Sequence, residues 1–253
     1  MEVVEHVEAL RREGSLLAEA ASPVELDAPI PHCPNWTVRD LLRHIGGVHR
    51  WAAAYVGGAR RRPMDDDEAD RIIAPPDDDG TLGGWFREGH ANLVKTLEAA
   101  PADLDCWSFL PAPSPLAFWA RRQAHETAIH RADAQGAGGA VTPVTPFAPA
   151  LATDGVDELL LGFASRRNGR LRADPPRTLG LHATDTSADW LVRVEPDRIR
   201  VSHEPGDADW SVAGPASDLY QLLWNRRGTE GLQVEGDPGL LDLWRTSVRV
   251  RWS

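Results

Sequence analysis

Two histidines and a glutamate lie within six residues of each other in the stretch RRQAHETAIHRAD, residues 121–133. Imidazole nitrogens and carboxylate oxygens are common ligands of zinc and of other divalent metal ions. The zinc-protease signature HExxH has its histidines four residues apart, whereas His125 and His130 are five apart. The stretch therefore raises three alternatives: an altered protease motif, a metal site of another kind, or an ordinary charged helix face.

The angles at which these residues leave a helix separate the alternatives. Residues five apart point about 140° away from each other, so His125 and His130 cannot easily share an ion, and the protease motif is excluded. Residues four apart differ by about 40°, so Glu126 and His130 lie on one face. That face either binds a metal ion or forms a hydrated surface stripe. For His125 the pattern predicts a packed core or interface position.

A third ligand has to come from another helix, and LLRHIGGVHRW, residues 41–51, contains His44 and His49. Both flank the apolar face of that helix, and periodicity does not choose between them. Either one, with Glu126 and His130, would leave positions on the ion open for water or a substrate thiol. Catalytic zinc sites are open in this way, whereas structural sites are closed by four protein ligands. The alternative for both histidines is a partly exposed position on the helix.

Four helices are predicted to position these residues. Apolar spacing predicts them over about 2–20, 38–56, 81–99 and 116–135. Thr37 is a predicted N-cap with Asp40 three residues later, as in a capping box. Residues 57–76 are predicted to form a solvated loop. Four helices with polar groups facing inward predict a bundle, which is a common framework for metal and cofactor sites.

A second domain is predicted beyond the Gly- and Pro-rich segment 136–149, which is typical of a domain boundary. Residues 154–167 predict a helix, and the strand-like segments RTLGLHAT, ADWLVRVEP and RIRVSHEP follow. PASDLYQLLWNRR returns to helical spacing, with Ser217 as the predicted N-cap. The predicted fold is multi-domain: an all-α four-helix bundle over residues 1–138, and an α+β domain with a small antiparallel sheet over residues 148–253.

Composition excludes several classes of protein. The net charge of −11 leaves no sustained basic face, so we expect no nucleic-acid partner. The chain has no apolar run of about 18 residues and begins with the charged stretch MEVVEHVEALRREG, so we expect no membrane partner and a cytoplasmic location. Cys33 and Cys106 are too few for a disulfide framework, and we expect both to be inert thiols. The oligomeric state stays open.

Four motifs resemble those of a known family. CPNWTVRDLLRHIGGVHRWA and RRQAHETAIHRADA resemble the N-terminal domain of the mycothiol-dependent maleylpyruvate isomerase family, a branch of the DinB/YfiT-like four-helix metalloproteins. ADWSVAGPASDLYQLLWNRR and VEGDPGLLDLWR resemble that family's second domain, which is similar to sterol carrier proteins. The resemblance covers nearly the whole chain, and its first two motifs are more specific for the superfamily than for one reaction.

The resemblance implies a metal site formed by His44, Glu126 and His130. In the family, a histidine at the end of the W-T-V-R-D-L-L-x-H stretch and an E-x-x-x-H pair bind the metal. His49 then has no ligand role and keeps the partly exposed position. The implied cofactors are a divalent metal ion, expected to be zinc, and mycothiol as cosubstrate.

The resemblance also implies an enzyme in which the metal ion activates the small thiol as a nucleophile. Arg226 in LLWNRR matches the basic residue that assists catalysis in the family, with Arg227 as the neighbouring alternative, and it would hold a substrate carboxylate. The reaction is either S-transfer or cis-trans isomerisation of the maleylpyruvate type. The alternative function is a non-catalytic small-molecule-binding protein that retains the fold.

Overall fold

The computed structural model describes residues 1–22, 24–139, 144–166 and 169–248. The chain divides into two compact units, residues 1–145 and residues 146–253. Among the described residues, no helix combines the length and the apolar character needed to cross a membrane.

The first unit is helical. Its helices are α1 (Val3–Ala21), α2 (Val38–Gly57), α3 (Asp66–Ile73), α4 (Leu82–Ala99) and α5 (Pro115–Gln135). Helix α1 packs against α4 and α5, and α2 packs against the same two helices. Their facing apolar side chains share a core that includes Leu17, Leu41, Ile45, Phe86 and Ala134. The four long helices predicted from apolar spacing are thus present, with ends that differ by at most one residue.

The predicted solvated loop at residues 57–76 was wrong in part, because it contains the helix α3. The side chain of Asp65 accepts a hydrogen bond from the backbone N–H of Glu68 and caps the start of this helix. No residue of α3 is buried, and with eight residues the helix is too short for apolar periodicity to identify it in the sequence.

The start of α2 is fixed by the predicted capping box. The Oγ1 of Thr37 accepts from the backbone N–H of Asp40, and a carboxylate oxygen of Asp40 accepts from the backbone N–H of Thr37 at 2.9 Å. The loop before the cap is closed by a bond of 2.9 Å from the N–H of Ile30 to the carbonyl of Trp36. Such caps stabilise a helix by about 1 kcal/mol. They also fix where the second turn of α2, which carries His44, begins.

The second unit combines helices with one sheet. The helices are α6 (Pro149–Asp157), α7 (Ala216–Leu223) and α8 (Gly239–Ser247). The strands are β1 (Arg177–Ala183), β2 (Ala188–Val194), β3 (Ile199–Ser202), β4 (Trp210–Gly214) and β5 (Gln233–Gly236). They pair in the order β3-β2-β1-β4-β5.

The sheet is mixed, so the prediction of an antiparallel sheet was wrong for one of its four strand pairs. Strands β1 and β4 run parallel, with Leu179 opposite Trp210, and the other three pairs are antiparallel. The three predicted strands are β1, β2 and β3. Strands β4 and β5 were missed because they are short and because β5 is exposed along its length, which removes the alternation of apolar and polar residues.

Two details of the predicted helices in this unit also differ. The helix predicted over residues 154–167 begins earlier, at Pro149, and continues after Asp157 as a π-helical segment, Glu158–Ala164; position 167 lies outside the described residues. Ser217 is not the N-cap of α7, because Pro215 holds that position. The hydroxyl of Ser217 instead accepts a hydrogen bond of 3.0 Å from the backbone N–H of Phe147.

Candidate metal centre

The three predicted metal ligands come together from two helices. Helix α2 carries His44, and α5 carries Glu126 and His130. The Nε2 atom of His44 lies 3.1 Å from Oε1 of Glu126, and Nε2 of His130 lies 3.4 Å from the same oxygen. One ligand atom from each residue falls within 4.8 Å of the others. The carboxylate therefore lies between the two imidazoles, and the three ligand atoms surround one point.

This cluster is inside the protein. All side chains from position 122 to position 134 of α5 are buried, including Gln123 and Asp133, so the hydrated stripe considered for the face of Glu126 and His130 is wrong. A helix that is buried all round while rich in polar groups needs a partner for each of them. The side chain of His44 is 16% exposed and is the most accessible of the three candidate ligands.

The carboxylate of Glu126 is held in its ionised form. Burial alone would raise the pKa of Glu126. Hydrogen bonds with His130 and His44 and the positive charge of Arg122 have the opposite effect, and together they hold this pKa well below its usual range. The guanidinium of Arg122 donates to Oε2 of Glu126 at 2.9 Å. One oxygen thus faces the imidazoles and the other faces Arg122. Sequence reasoning did not single out Arg122, although it lies one turn before Glu126.

Asp133 fixes the orientation of the His130 ring. Its Oδ2 lies 3.0 Å from Nδ1 of His130, on the side of the ring away from Glu126. Burial lowers the pKa of His130, but hydrogen bonds with Asp133 and Glu126 outweigh it and raise the pKa to about 9. A metal ion would replace the proton on Nε2, while Nδ1–H stays with Asp133. Histidine ligands in metalloproteins commonly have a carboxylate in this place.

An aromatic ring covers the two imidazoles. Trp36, from the loop before α2, stacks on His130 with ring centroids 5.7 Å apart and an angle of 15° between the planes. The centroid of Trp36 is also 4.9 Å from that of His44. The indole thus shields one side of the cluster from water. Trp36 belongs to the W-T-V-R-D stretch, and nothing in a single sequence distinguishes this position from that of a core tryptophan.

His49 lies inside the helical unit, so the partly exposed position predicted for it was wrong. Its side chain is fully buried, and Nε2 lies 2.8 Å from the hydroxyl of Thr127. Burial and the neighbouring His90 hold the pKa of His49 well below its usual value. His49 is therefore a neutral core residue. His125 is also fully buried, as predicted, and its ring packs edge-on against that of His6.

The buried, neutral His49 predicts a loss of stability in acid. The unfolded chain binds a proton at His49 near pH 6.5 and the folded chain does not, so the free energy of unfolding falls as pH decreases below about 6.5. The slope from this residue approaches about 1.4 kcal/mol per pH unit. Urea unfolding at about pH 7 and about pH 5 measures it. The variant His49→Gln, which has no titrating group, should show a smaller difference; an equal difference would contradict the prediction.

Two protein-family profiles match the chain, one within each of its two units. A profile described as the mycothiol maleylpyruvate isomerase N-terminal domain matches residues 7–135, and one described as the MDMPI C-terminal domain matches residues 150–243. The chain belongs to the mycothiol maleylpyruvate isomerase family. The family predicted from the sequence motifs is thereby confirmed.

Solved structures agree with this family. A histidine-to-alanine mutant of the mycothiol-dependent maleylpyruvate isomerase matches with a TM-score of 0.62, and a second structure of that isomerase matches with 0.60. Each is 15% identical to this chain, and each match covers 93% of both chains, so the likeness is one of fold. No curated protein sequence matches. A match to the UbiJ-SCP2 ubiquinone synthesis protein has a TM-score of 0.29 and carries no weight, so the sterol-carrier likeness stays a prediction.

The two candidate basic residues lie just after α7 in the second unit. The guanidinium of Arg226 donates to the carbonyl of Trp224 at 2.9 Å. Arg227 forms an ion pair with Asp218. The charge of Arg227 is therefore matched within its own unit, while the choice of Arg226 as the residue that would hold a substrate follows the family motif. This role for Arg226 stays a prediction.

The donor set fits a divalent metal ion. Two imidazole nitrogens and one ionised carboxylate are the ligands of open catalytic zinc sites, and they point to the same place. The bond from Nδ1 of His130 to Asp133 leaves Nε2 for an ion, and the bond from Arg122 leaves a single oxygen of Glu126 for it.

The bond between Asp133 and His130 gives a direct test of this arrangement. Replacing Asp133 by Asn should weaken zinc binding by about 10- to 100-fold, because the imidazole loses the carboxylate that orients it. Competition with a chromogenic chelator measures the change in affinity. The variant Asp105→Asn, at an exposed position of the same unit, is a control and should bind zinc as the parent does. Equal affinity of parent and Asp133→Asn would show that Asp133 does not support a ligand.

Proposed function

We propose that the protein is a metal-dependent enzyme that uses a low-molecular-weight thiol, mycothiol, as its nucleophile. The observation that carries this proposal is the convergence of His44, Glu126 and His130 on one point, with the carboxylate ionised in a buried site. Membership of the mycothiol maleylpyruvate isomerase family supports the choice of thiol. The three residues would bind a divalent ion, which we expect to be zinc.

Each residue of the site has a defined part in this proposal. A bound divalent ion would supply Lewis acidity that lowers the pKa of a thiol, so that the thiolate is available at neutral pH. Arg122 holds the second oxygen of Glu126, and Asp133 keeps the remaining proton of His130 on Nδ1. Trp36 keeps water from one side of the imidazoles, so the partly exposed side of His44 is the route by which a thiol would enter.

The reaction we favour is cis-trans isomerisation of the maleylpyruvate type. The thiolate would add to an activated double bond, the resulting single bond would rotate, and the thiolate would leave as the double bond forms again. In the other proposed reaction, S-transfer, the adduct would take up a proton and be released. Both reactions need the same ligands, and the family description favours the first.

Several further assignments belong to this proposal. We assign the metal site to a DinB-like four-helix bundle over residues 1–138, and the support is the pairwise packing of the four long helices. We assign residues 148–253 to a sterol-carrier-like α+β domain that supplies Arg226. The partners would be mycothiol and a small-molecule electrophile, without nucleic acid or membrane, in the cytoplasm.

The role of Arg226 predicts a change in substrate affinity. Arg226→Ala should raise KM for a substrate with a carboxylate by about 10-fold or more, since a charged hydrogen bond contributes about 1.5–3 kcal/mol. Steady-state kinetics at fixed thiol concentration measure KM and kcat. Arg227→Ala is the matched control, because that side chain is already paired with Asp218. A larger increase in KM for Arg227→Ala would assign substrate binding to Arg227 instead. An unchanged KM in both variants would mean that neither arginine holds the substrate.

The proposal as a whole is tested by thiol-dependent turnover. Zinc-loaded protein should convert maleylpyruvate to its trans isomer only when mycothiol is present, as followed by the absorbance of the product, and mass spectrometry would detect an S-conjugate. The variants His44→Ala and Glu126→Ala should lose turnover by at least about 100-fold. No turnover in the parent, together with binding of a small molecule that survives metal removal, would establish a non-catalytic binding protein instead.

A further inference from the structure

A second group of potential ligands lies on the other side of the His130 ring. Ligand atoms of Cys33, Asp133 and His130 fall within 4.8 Å of one another. The Cys33 thiol donates to Oδ2 of Asp133 at 3.4 Å, and the same oxygen lies 3.0 Å from Nδ1 of His130. Thiolate, carboxylate and imidazole together favour divalent ions with an affinity for sulfur. Cys33 was expected to be an inert thiol, but a carboxylate and an imidazole that could bind a metal ion together with it lie next to its sulfur.

The loop that carries Cys33 is already folded in the position this site requires. The N–H of Cys33 donates to the carbonyl of Ile30 at 3.2 Å, and the carbonyl of Cys33 accepts from the N–H of Trp36 at 2.9 Å. An ion bound at the thiol would therefore not have to order this segment, which removes a common entropic cost of binding. Cys33 is half-buried, whereas Asp133 and His130 are buried. Cys33 is thus the most accessible of the three residues.

We propose that Cys33, Asp133 and Nδ1 of His130 form a second metal-ion site, which takes a thiophilic divalent ion such as Cd²⁺ and is filled in alternation with the first site. The sulfur binds as thiolate, and the thiol proton leaves to solvent. The ion replaces the hydrogen bonds that the thiol and the imidazole make to Asp133.

Alternation follows from the chemistry of one ring. A neutral imidazole has one N–H and one nitrogen that can bind a metal ion. With an ion on Nε2, the N–H is Nδ1 and faces Asp133 at 3.0 Å. With an ion on Nδ1, the N–H is Nε2 and faces Oε1 of Glu126 at 3.4 Å. A thiophilic ion at the second site would therefore withdraw His130 from the first site. The alternation rests on the proposed function, whereas the second site by itself does not.

The second site is tested in a variant without the first site. Chelator-treated His44→Ala protein should bind a single equivalent of Cd²⁺ and develop ultraviolet sulfur-to-cadmium charge-transfer absorption. Adding Cys33→Ser to this variant should abolish that absorption and weaken Cd²⁺ binding by about 100-fold or more. Adding Cys106→Ser instead is the matched control, because Cys106 is the only other cysteine and should leave the absorption unchanged. Circular dichroism confirms that each variant is folded.

Two outcomes would overturn the second site: no sulfur-to-cadmium absorption in His44→Ala, or absorption that persists after Cys33→Ser. The first would mean that the thiol and Asp133 form a hydrogen bond and nothing more. The first site is judged separately in the Cys33→Ser single variant, which should keep its zinc, so failure of one site is distinguishable from failure of the other. Alternation is judged by adding Cd²⁺ to zinc-loaded parent: release of zinc as the absorption appears supports it, and two ions bound at once contradicts it.

Discussion

Protein purified without chelators or a histidine tag should contain close to one equivalent of zinc, and Glu126→Ala should contain almost none. The residue supplies the anionic ligand, and without it two imidazoles face a buried guanidinium, Arg122, that repels a cation. The loss of affinity should exceed the 10- to 100-fold that supporting residues typically give, and it should therefore be more than about 100-fold. Metal analysis by mass spectrometry after dialysis measures the content.

His44→Ala and His130→Ala should lose zinc in the same experiment, since each removes one ligand of three. His182→Ala is the matched control, because His182 is an exposed histidine on β1 and pairs only with Asp189 among the contacts described for it. Its zinc content should equal that of the parent. Zinc retained by Glu126→Ala and by both histidine variants would place the ion elsewhere and remove the proposed site.

Glu13→Ala should destabilise the protein by about 3–5 kcal/mol. An oxygen of Glu13 on α1 accepts from the Nε of Arg131 on α5 at 2.7 Å, and neither side chain is exposed. Removing one partner of a buried ion pair leaves the other charge in a medium that solvates it poorly, and this is the main origin of the loss. Urea unfolding at neutral pH, followed by circular dichroism, measures the change in the free energy of unfolding.

The matched control for this experiment is Glu8→Ala, because Glu8 lies on the same helix and is exposed. Exposed substitutions of this kind usually change stability by less than about 0.5 kcal/mol. If Glu13→Ala were no more destabilising than Glu8→Ala, the charge of Arg131 would be satisfied by acceptors other than Glu13, such as the side chain of Gln135 and the carbonyl of Thr145.

The limits of the sequence-based predictions have physical causes. Amphipathic helices are recognised by their apolar spacing, so the ends of α1, α2 and α4 could be predicted accurately. Helix α5 could be placed but its burial could not, because its polar residues are accommodated by partners that lie far away in the chain, such as Glu13 for Arg131. The burial of His49 could not be predicted for the same reason, because its hydrogen-bond partner Thr127 lies on α5.

In the candidate site, too, some residues could be predicted from the sequence and others could not. His44, Glu126 and His130 were named through the family motif, since the angle between helix positions excluded one pairing and left the third ligand undecided. Arg122 and Asp133 were not assigned to the site, although both lie within one turn of a named ligand and are bonded to it. A lone charged residue near a ligand carries little information until the packing shows that solvent cannot reach it.

The two helices that carry the candidate metal ligands are far apart in the chain: His44 and Glu126 are separated by 82 positions. An ion held between them would act as a reversible cross-link that the unfolded chain cannot make. Each tenfold rise in free metal above the dissociation constant would then add about 1.4 kcal/mol to the free energy of unfolding of the helical unit. The melting temperature of this unit would accordingly report the metal concentration around it, and a cell short of zinc would hold less of the folded protein.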